Sequence, residues 1–306
     1  MFDFVGKKKI FFTISIALLA VSMVCAVVFG VNLDIQFKGG AIMTYSYDGE
    51  IAKADFEKTV EGVLDQQVNL QSQTDVVTGK QNYVITTSDV AGLNSEKQLE
   101  LINALQEAYS GNNVESVSIN VVDPIIGKEF LAKCMVAVAF ASVLMICYIA
   151  FRFKKIGGWS AGVCAVIALF HDLLAVFATF VIFKISINDN FIAVLLTILG
   201  YSLNDTIVIY DRIRENKRLF GNKLSTGELV NKSLNQSLSR SIMTTVTTIT
   251  AMVVVSVVAL IYNVNSILSF SFPLIIGMLS GVYSSLCISA PLWVVWQERK
   301  AAKRAA

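Results

Sequence analysis

Six apolar runs, each long enough to cross about 30 Å of hydrocarbon, constrain this chain more than any other feature. They lie near residues 10–30, 130–151, 158–184, 190–210, 241–262 and 267–296. In lipid every backbone N–H and C=O must find its partner within the segment, so such runs predict transmembrane α-helices. With 55% hydrophobic and 16% charged residues, the chain reads as a polytopic membrane protein. The charges cluster at the ends of the runs. Lys7, Lys8 and Lys9 precede the first; Arg152, Lys154 and Lys155 follow the second. Arg212, Arg214, Lys217, Arg218, Lys223 and Lys232 fill the loop after the fourth, and Arg299, Lys300, Lys303 and Arg304 follow the sixth. The connections at 185–189 and 263–266 carry no Lys or Arg. The cytoplasmic bias of basic residues therefore predicts both termini inside and segment 32–128 outside. The expected organisation is a cytoplasmic N-terminus with the first span at 1–31, an extracytoplasmic domain at 32–128, five spans within 129–298, and a basic cytoplasmic tail at 299–306.

The first run has the basic start of a signal peptide, but it continues through Phe29 with no A-x-A-like site, and it is read as an uncleaved helix. All five cysteines fall within expected spans, so the outer segment has no disulfide framework.

Residues 41–123 read as an α+β unit. Ala41–Tyr47 is strand-like, and Ile51–Gln67 places Ile51, Phe56, Val60, Val63 and Leu64 at helical spacing. Asn69–Val77 and Asn82–Thr87 are strand-like around a turn at Thr78-Gly79-Lys80. Leu99, Ile102, Leu105 and Tyr109 mark a second helix, with Ser95 and Gln98 as its expected capping box. Val114–Val122 closes as a strand. The order β-α-β-β-α-β predicts the split βαβ, ferredoxin-like arrangement. Across 32–128 acids outnumber the six lysines by about two to one, which argues against a nucleic-acid partner. It carries no metal-ligand cluster, nucleophile motif or phosphate loop; no cofactor and no enzymatic activity are expected of the chain.

Chemistry is expected in the spans instead. Asp205 sits in the fourth, where a carboxylate costs ~3 kcal/mol or more unless paired or hydrated. Tyr201, Asp205, Val208 and Arg212 follow i, i+4, i+7, i+11 spacing and share a face. Arg240 is expected at the cytoplasmic end of the next helix, heading a stripe with Thr244, Thr247 and Ala251, at a depth that permits pairing with Asp205. The threonines either bond back to helix carbonyls or support waters leading to Asp205. His171 and Asp172 lie mid-span in the third run; consecutive residues point ~100° apart, so the two are not expected to face one partner. Gly277 and Gly281 form a GxxxG in the last span, for close helix packing or a subunit contact. Gly39 and Gly40 are expected to turn the chain from membrane to outer domain, and Gly157-Gly158 to return it to the membrane.

Four motifs in order resemble the SecD/SecF family of the RND superfamily. They are Asp34-Ile35-Gln36-Phe37-Lys38-Gly39-Gly40; His171-Asp172-Leu173; Gly200-Tyr201-Ser202-Leu203-Asn204-Asp205-Thr206 running into Asp211-Arg212-Ile213-Arg214-Glu215-Asn216; and Ser239-Arg240-Ser241 followed by Thr244-Thr245-Val246-Thr247-Thr248. The first is inexact, with Ile35 and Gln36 inside the box. The resemblance implies an α-helical polytopic membrane protein of six transmembrane helices, the SecF-like half of an RND-type assembly with SecD as its other half. It implies an ion-coupling group of Asp205, Arg240, Asp172 and His171, with Gly200, Tyr201, Asn204, Asp211, Arg212 and Thr244 as motif positions around it. It further implies work on a translocating unfolded polypeptide beside the SecYEG channel with its SecA motor, YajC and YidC, driven by a proton or sodium gradient across the bacterial cytoplasmic membrane. A non-transducing scaffold and half of a small-molecule or lipid exporter are the alternatives.

Overall fold

The computed structural model describes residues 2–305 apart from 75–78, 88–92, 123, 222 and 263. In chain order the elements are α1 (Lys8–Phe29), α2 (Ile35–Lys38), β1 (Gly40–Tyr47), α3 (Lys53–Leu64), β2 (Asn69–Thr74), β3 (Gln81–Thr87), α4 (Ser95–Ala108) and β4 (Glu115–Val122). There follow α5 (Pro124–Arg152), α6 (Gly158–Ile182), α7 (Asp189–Phe220), α8 (Thr226–Ile261), α9 (Asn265–Ser284), a π-helical segment (Ser285–Ser289) and α10 (Ala290–Ala305). Two compact units result, one of Met1–Asn32, Met135–Leu260 and Asn265–Ala306, the other of Leu33–Cys134 with Ile261–Val264. Among the described residues, six helices are long and apolar enough to cross a membrane, as the hydropathy of the six runs predicts.

In the smaller unit the four strands lie in the order β2-β3-β1-β4, each neighbouring pair antiparallel. This is the expected split βαβ: β1 and β2 run the same way with β3 between them. Strand alternation sends Met43, Tyr45 and Tyr47 to one face, where they meet Tyr83 and Ile85 of β3. That face is covered by Phe56 and Val60, one turn apart on α3, and by Leu101 and Leu105 of α4. Two local expectations need correction. Helix α3 covers Lys53–Leu64 and not the expected Ile51–Gln67, because Asp65 turns left-handed (φ 54°) and ends it at Leu64. Helix α4 is capped by Asn94, whose side chain accepts from the Lys97 amide, whereas Ser95 is already the first helical residue. Residues 75–77 of the expected second strand and Thr78 of its turn lie outside the described residues. Gly40 enters β1 at φ +143°, and a Cβ there would stand 2.5 Å from the Thr87 carbonyl oxygen, so only glycine fits.

The Tyr45 hydroxyl is buried in this core without a hydrogen-bond partner, and burial pushes its phenol up to about 12. An orphan hydroxyl costs free energy, so Tyr45→Phe is expected to stabilise a 33–122 fragment by about 1 kcal/mol in urea titrations. The sign with pH is fixed by the raised value. An unfolded tyrosine ionises near pH 10, so fragment stability is full below that and falls as pH rises towards 12, and Tyr45→Phe flattens the fall. A variant less stable than the parent at neutral pH would refute the orphan-hydroxyl reading.

In the larger unit α6 is the central helix, packed against α1, α7 and α9 and lined with buried small residues such as Ala161, Cys164, Ala165, Ala168 and Ala175. The main departure from expectation concerns α7 and α8. Their 32 and 36 residues extend ~48 and ~54 Å, well past ~30 Å of hydrocarbon. The basic segment read as a loop is therefore mostly two helix extensions meeting near Gly221. Its Leu, Gln, Lys and Arg content favours helix, and the extensions bury a stripe of their own: Ile213 from α7 with Leu229, Val230 and Leu234 from α8. Asn216 Nδ2, buried between them, donates to Ser233 Oγ and Gln236 Oε1, each at 2.8 Å.

Candidate functional site

Asp172 is fully buried on α6 and is held by three serine hydroxyls. Ser202 of α7 donates to its Oδ2 at 2.7 Å, Ser284 of α9 to the same oxygen at 2.7 Å, and Ser280 of α9 to Oδ1 at 2.6 Å. His171 Nδ1 lies 3.3 Å from Oδ1 and 3.4 Å from Ser280 Oγ. The neighbours on α6 thus do meet at one partner, against the expectation from their ~100° separation. The imidazole is long enough to swing back to the Asp172 side, and the Ser280 hydroxyl lies within reach of both. His171 Nε2 is buried without a partner, and the ring lies 5.9 Å from that of Tyr283.

Glycines bring the serines in. A Cβ on Gly277 would stand 2.6 Å from Ile198 Cδ1 and 2.8 Å from Val176 Cγ2, and one on Gly281 would stand 3.1 Å from Ser202 Cβ. The GxxxG of the last span is therefore a packing face within the chain, turned to α6 and α7. Ser280 and Ser284, beside these glycines, are carried to the carboxylate. Below them the helix opens into the π-helical Ser285–Ser289, where Ser285 Oγ meets Thr206 Oγ1 at 2.8 Å and Ser289 Oγ meets the Tyr210 hydroxyl at 3.0 Å. Ser202, Thr206 and Tyr210 are one turn apart in succession, so α7 presents a hydroxyl ladder to the last span. Sequence reading missed Ser202, Ser280 and Ser284. The signal available was the polar i, i+4, i+8 row inside an apolar helix.

Asp205 faces the other way, towards α8. The Tyr201 hydroxyl donates to Thr245 Oγ1 at 3.0 Å and Arg212 Nε to Gln236 Oε1 at 2.8 Å, so the face predicted for Tyr201, Asp205 and Arg212 does look at one helix. Asp205 is 7% exposed; its Oδ2 has no hydrogen-bond partner, and neither has the buried Ser241 Oγ of α8. Arg240 and Ser241 are near enough to act on the carboxyl. Among the described residues, however, no Arg240 nitrogen comes within the 4.0 Å of an ion pair with Asp205. Arg240 is exposed and stands 14 residues beyond the first residue of α8, ~21 Å along it. The expected position at a helix end is corrected by the extension that begins at Thr226. The threonines of this stretch bond back to helix carbonyls: Thr244 Oγ1 donates to the Arg240 carbonyl at 2.6 Å, Thr247 Oγ1 to that of Met243 and Thr248 Oγ1 to that of Thr244.

The remaining motif positions are peripheral. Asp211 pairs with Arg152 at 3.2 Å and with Arg214, and Arg212 pairs with Glu215 at 2.6 Å. Asn204 and Gly200 are exposed, and a Cβ on Gly200 would meet nothing within 4 Å. Gly39 caps α2, its amide donating to the Ile35 carbonyl. Among the described residues no three His, Cys, Asp or Glu side chains converge as a metal site.

Residues 101–299 match the family described as protein export membrane protein SecD/SecF, C-terminal. The chain is similar to the protein translocase subunit SecF of Alicyclobacillus acidocaldarius, 33% identical over 306 residues, covering 99% of this chain and 95% of that protein. It is similar also to the protein translocase subunit SecDF of Bacillus subtilis, 33% identical over 307 residues, covering 99% of this chain but 39% of that protein. The crystal structure of SecDF from Thermus thermophilus, described as a translocon-associated membrane protein, superposes with a TM-score of 0.77 at 28% identity over 97% of this chain and 39% of its own. The chain thus spans about two fifths of the fused SecDF relatives and nearly all of the shorter SecF.

Proposed function

The chain belongs to the SecD/SecF protein-export membrane protein family, and from that premise we propose that it is the SecF-type subunit of a protein-export assembly, working with SecD on polypeptide leaving the SecYEG channel. Its similarity to two fifths of fused SecDF proteins supports association with a SecD half. The work comes from a proton or sodium gradient across the cytoplasmic membrane. One observation carries this reading: two carboxylates are buried among apolar spans, one fully held by hydroxyls and the other with an oxygen left open. An acid at that depth is expensive and marks an ion pathway. Asp205, with its open oxygen, is the group that takes up and releases the ion. Asp172 is the fixed acceptor behind it, joined to the same turn of α7 through Ser202. Arg240, always charged, approaches Asp205 in one state of the cycle and leaves it in another.

The direct test uses vesicles holding SecD, SecYEG and SecA with or without this chain. Imposing an ion gradient should speed export only when the chain is present; equal stimulation without it would overturn the proposal. A scaffold that transduces nothing is the competing reading. It is favoured by the complete hydrogen bonding of Asp172, and the Asp205 variant discussed below separates the two.

Orientation is part of the proposal. In a variant lacking the natural cysteines, Gly79→Cys should react with a membrane-impermeant thiol reagent added to whole cells, and Arg218→Cys should react only after lysis. The opposite pattern would invert the topology and put the sheet-bearing unit in the cytoplasm.

A further inference from the structure

A cavity of about 670 Å³ opens where the apolar stretches of α5 and α7 end. Among the described residues, five cations line it, Arg152, Lys154, Arg214, Lys217 and Arg218, with the carboxylates Asp211 and Glu215. Both carboxylates are already engaged. Asp211 is paired with Arg152 and Arg214, and Glu215 with Arg212, which stands outside the lining. Lys154, Lys217 and Arg218 have no carboxylate within 4.0 Å among the described residues. Three uncompensated cations around one cavity call for an anion. The apolar side of the cavity says which. Phe151, 74% exposed, borders it in the last turn of α5, a helix long and apolar enough to cross a membrane, and the end of such a helix is where lipid headgroups lie.

We propose that this cavity binds the phosphate headgroup of an anionic membrane phospholipid, with Lys154, Lys217 and Arg218 on the phosphate and Phe151 against the first carbons of an acyl chain. Basic pockets between transmembrane helices are suited to such headgroups, and each cation near the surface contributes about fivefold in affinity. The site is separate from the buried carboxylates and does not depend on their role.

The experiment is a titration of the full chain, purified in detergent, with fluorescent phosphatidylglycerol, and in parallel with phosphatidylcholine. Phosphatidylglycerol should bind and phosphatidylcholine should not. The triple variant Lys154→Gln/Lys217→Gln/Arg218→Gln should weaken binding on the order of a hundredfold, and Lys217→Gln alone by about fivefold, which keeps the test open should the triple variant fold poorly. The equal-charge control Lys7→Gln/Lys9→Gln/Lys223→Gln, at exposed residues that do not line the cavity, should bind as the parent does. The proposal falls if the control loses as much as the triple variant, if phosphatidylcholine binds equally, or if Lys217→Gln changes nothing. Displacement of the lipid by millimolar inorganic phosphate would also overturn it, by making this a site for a free anion.

Discussion

Asp205→Asn is expected to insert and accumulate normally and to export at the rate seen without an imposed gradient. The amide keeps the shape of the carboxyl and its contacts with α8, but it can neither take up a proton nor hold a cation by charge. One charge crossing 100 mV is worth ~2.3 kcal/mol, which would bias a two-state equilibrium by roughly fiftyfold, and all of that bias should vanish. ATP-driven export measured without a gradient should be unchanged, which separates lost coupling from lost assembly. Arg240→Met should give the same phenotype, because the cation that answers Asp205 would be gone. Export of a preprotein into vesicles, with and without the gradient, decides the matter. Full gradient response by Asp205→Asn at normal protein levels would leave the chain as a scaffold.

Asp172→Ala should destabilise the helical unit more than any other single truncation of a polar side chain. It removes the acceptor of three hydroxyls from two other helices, and each buried donor left unmade costs ~1–3 kcal/mol. Since Ser284 can still donate to the Gly281 carbonyl at 3.1 Å, the net loss expected is about 3 kcal/mol. Asp172→Asn, which keeps one acceptor oxygen and fills the same space, should recover most of it. Unfolding in mixed micelles reads both variants. Equal stability of Asp172→Ala and the parent would mean that the serine cage does not hold the helices. Gradient response in Asp172→Asn then asks a separate question, whether the charge as well as the packing is used.

These expectations differ in how far they could be drawn from the residues alone. That Asp205 is costly needs only its place in an apolar run. That Tyr201, Asp205 and Arg212 look at one helix follows from helical spacing, and Thr245 and Gln236 occupy that helix. The role of Gly277 and Gly281 was half legible. Spacing makes them a contact face, but whether Ile198 and Val176 or another subunit fills that face is a question of what lies opposite.

By itself, the sequence determined the six spans, the β-α-β-β-α-β order and the sheet it implies, and the presence of carboxylates inside apolar spans. All of these rest on local physics: hydropathy over some twenty residues, alternation along a strand, and the cost of a charge in hydrocarbon. Only the tertiary structure decided that Asp172 is caged by Ser202, Ser280 and Ser284. Those serines stand 30, 108 and 112 residues away, and a serine inside a helix bonds to its own backbone or to a neighbour with equal ease. The same holds for Arg240. Its position within α8 was set by burial of Leu229, Val230 and Leu234 against α7, which made a helix of a basic stretch that charge alone marks as a loop.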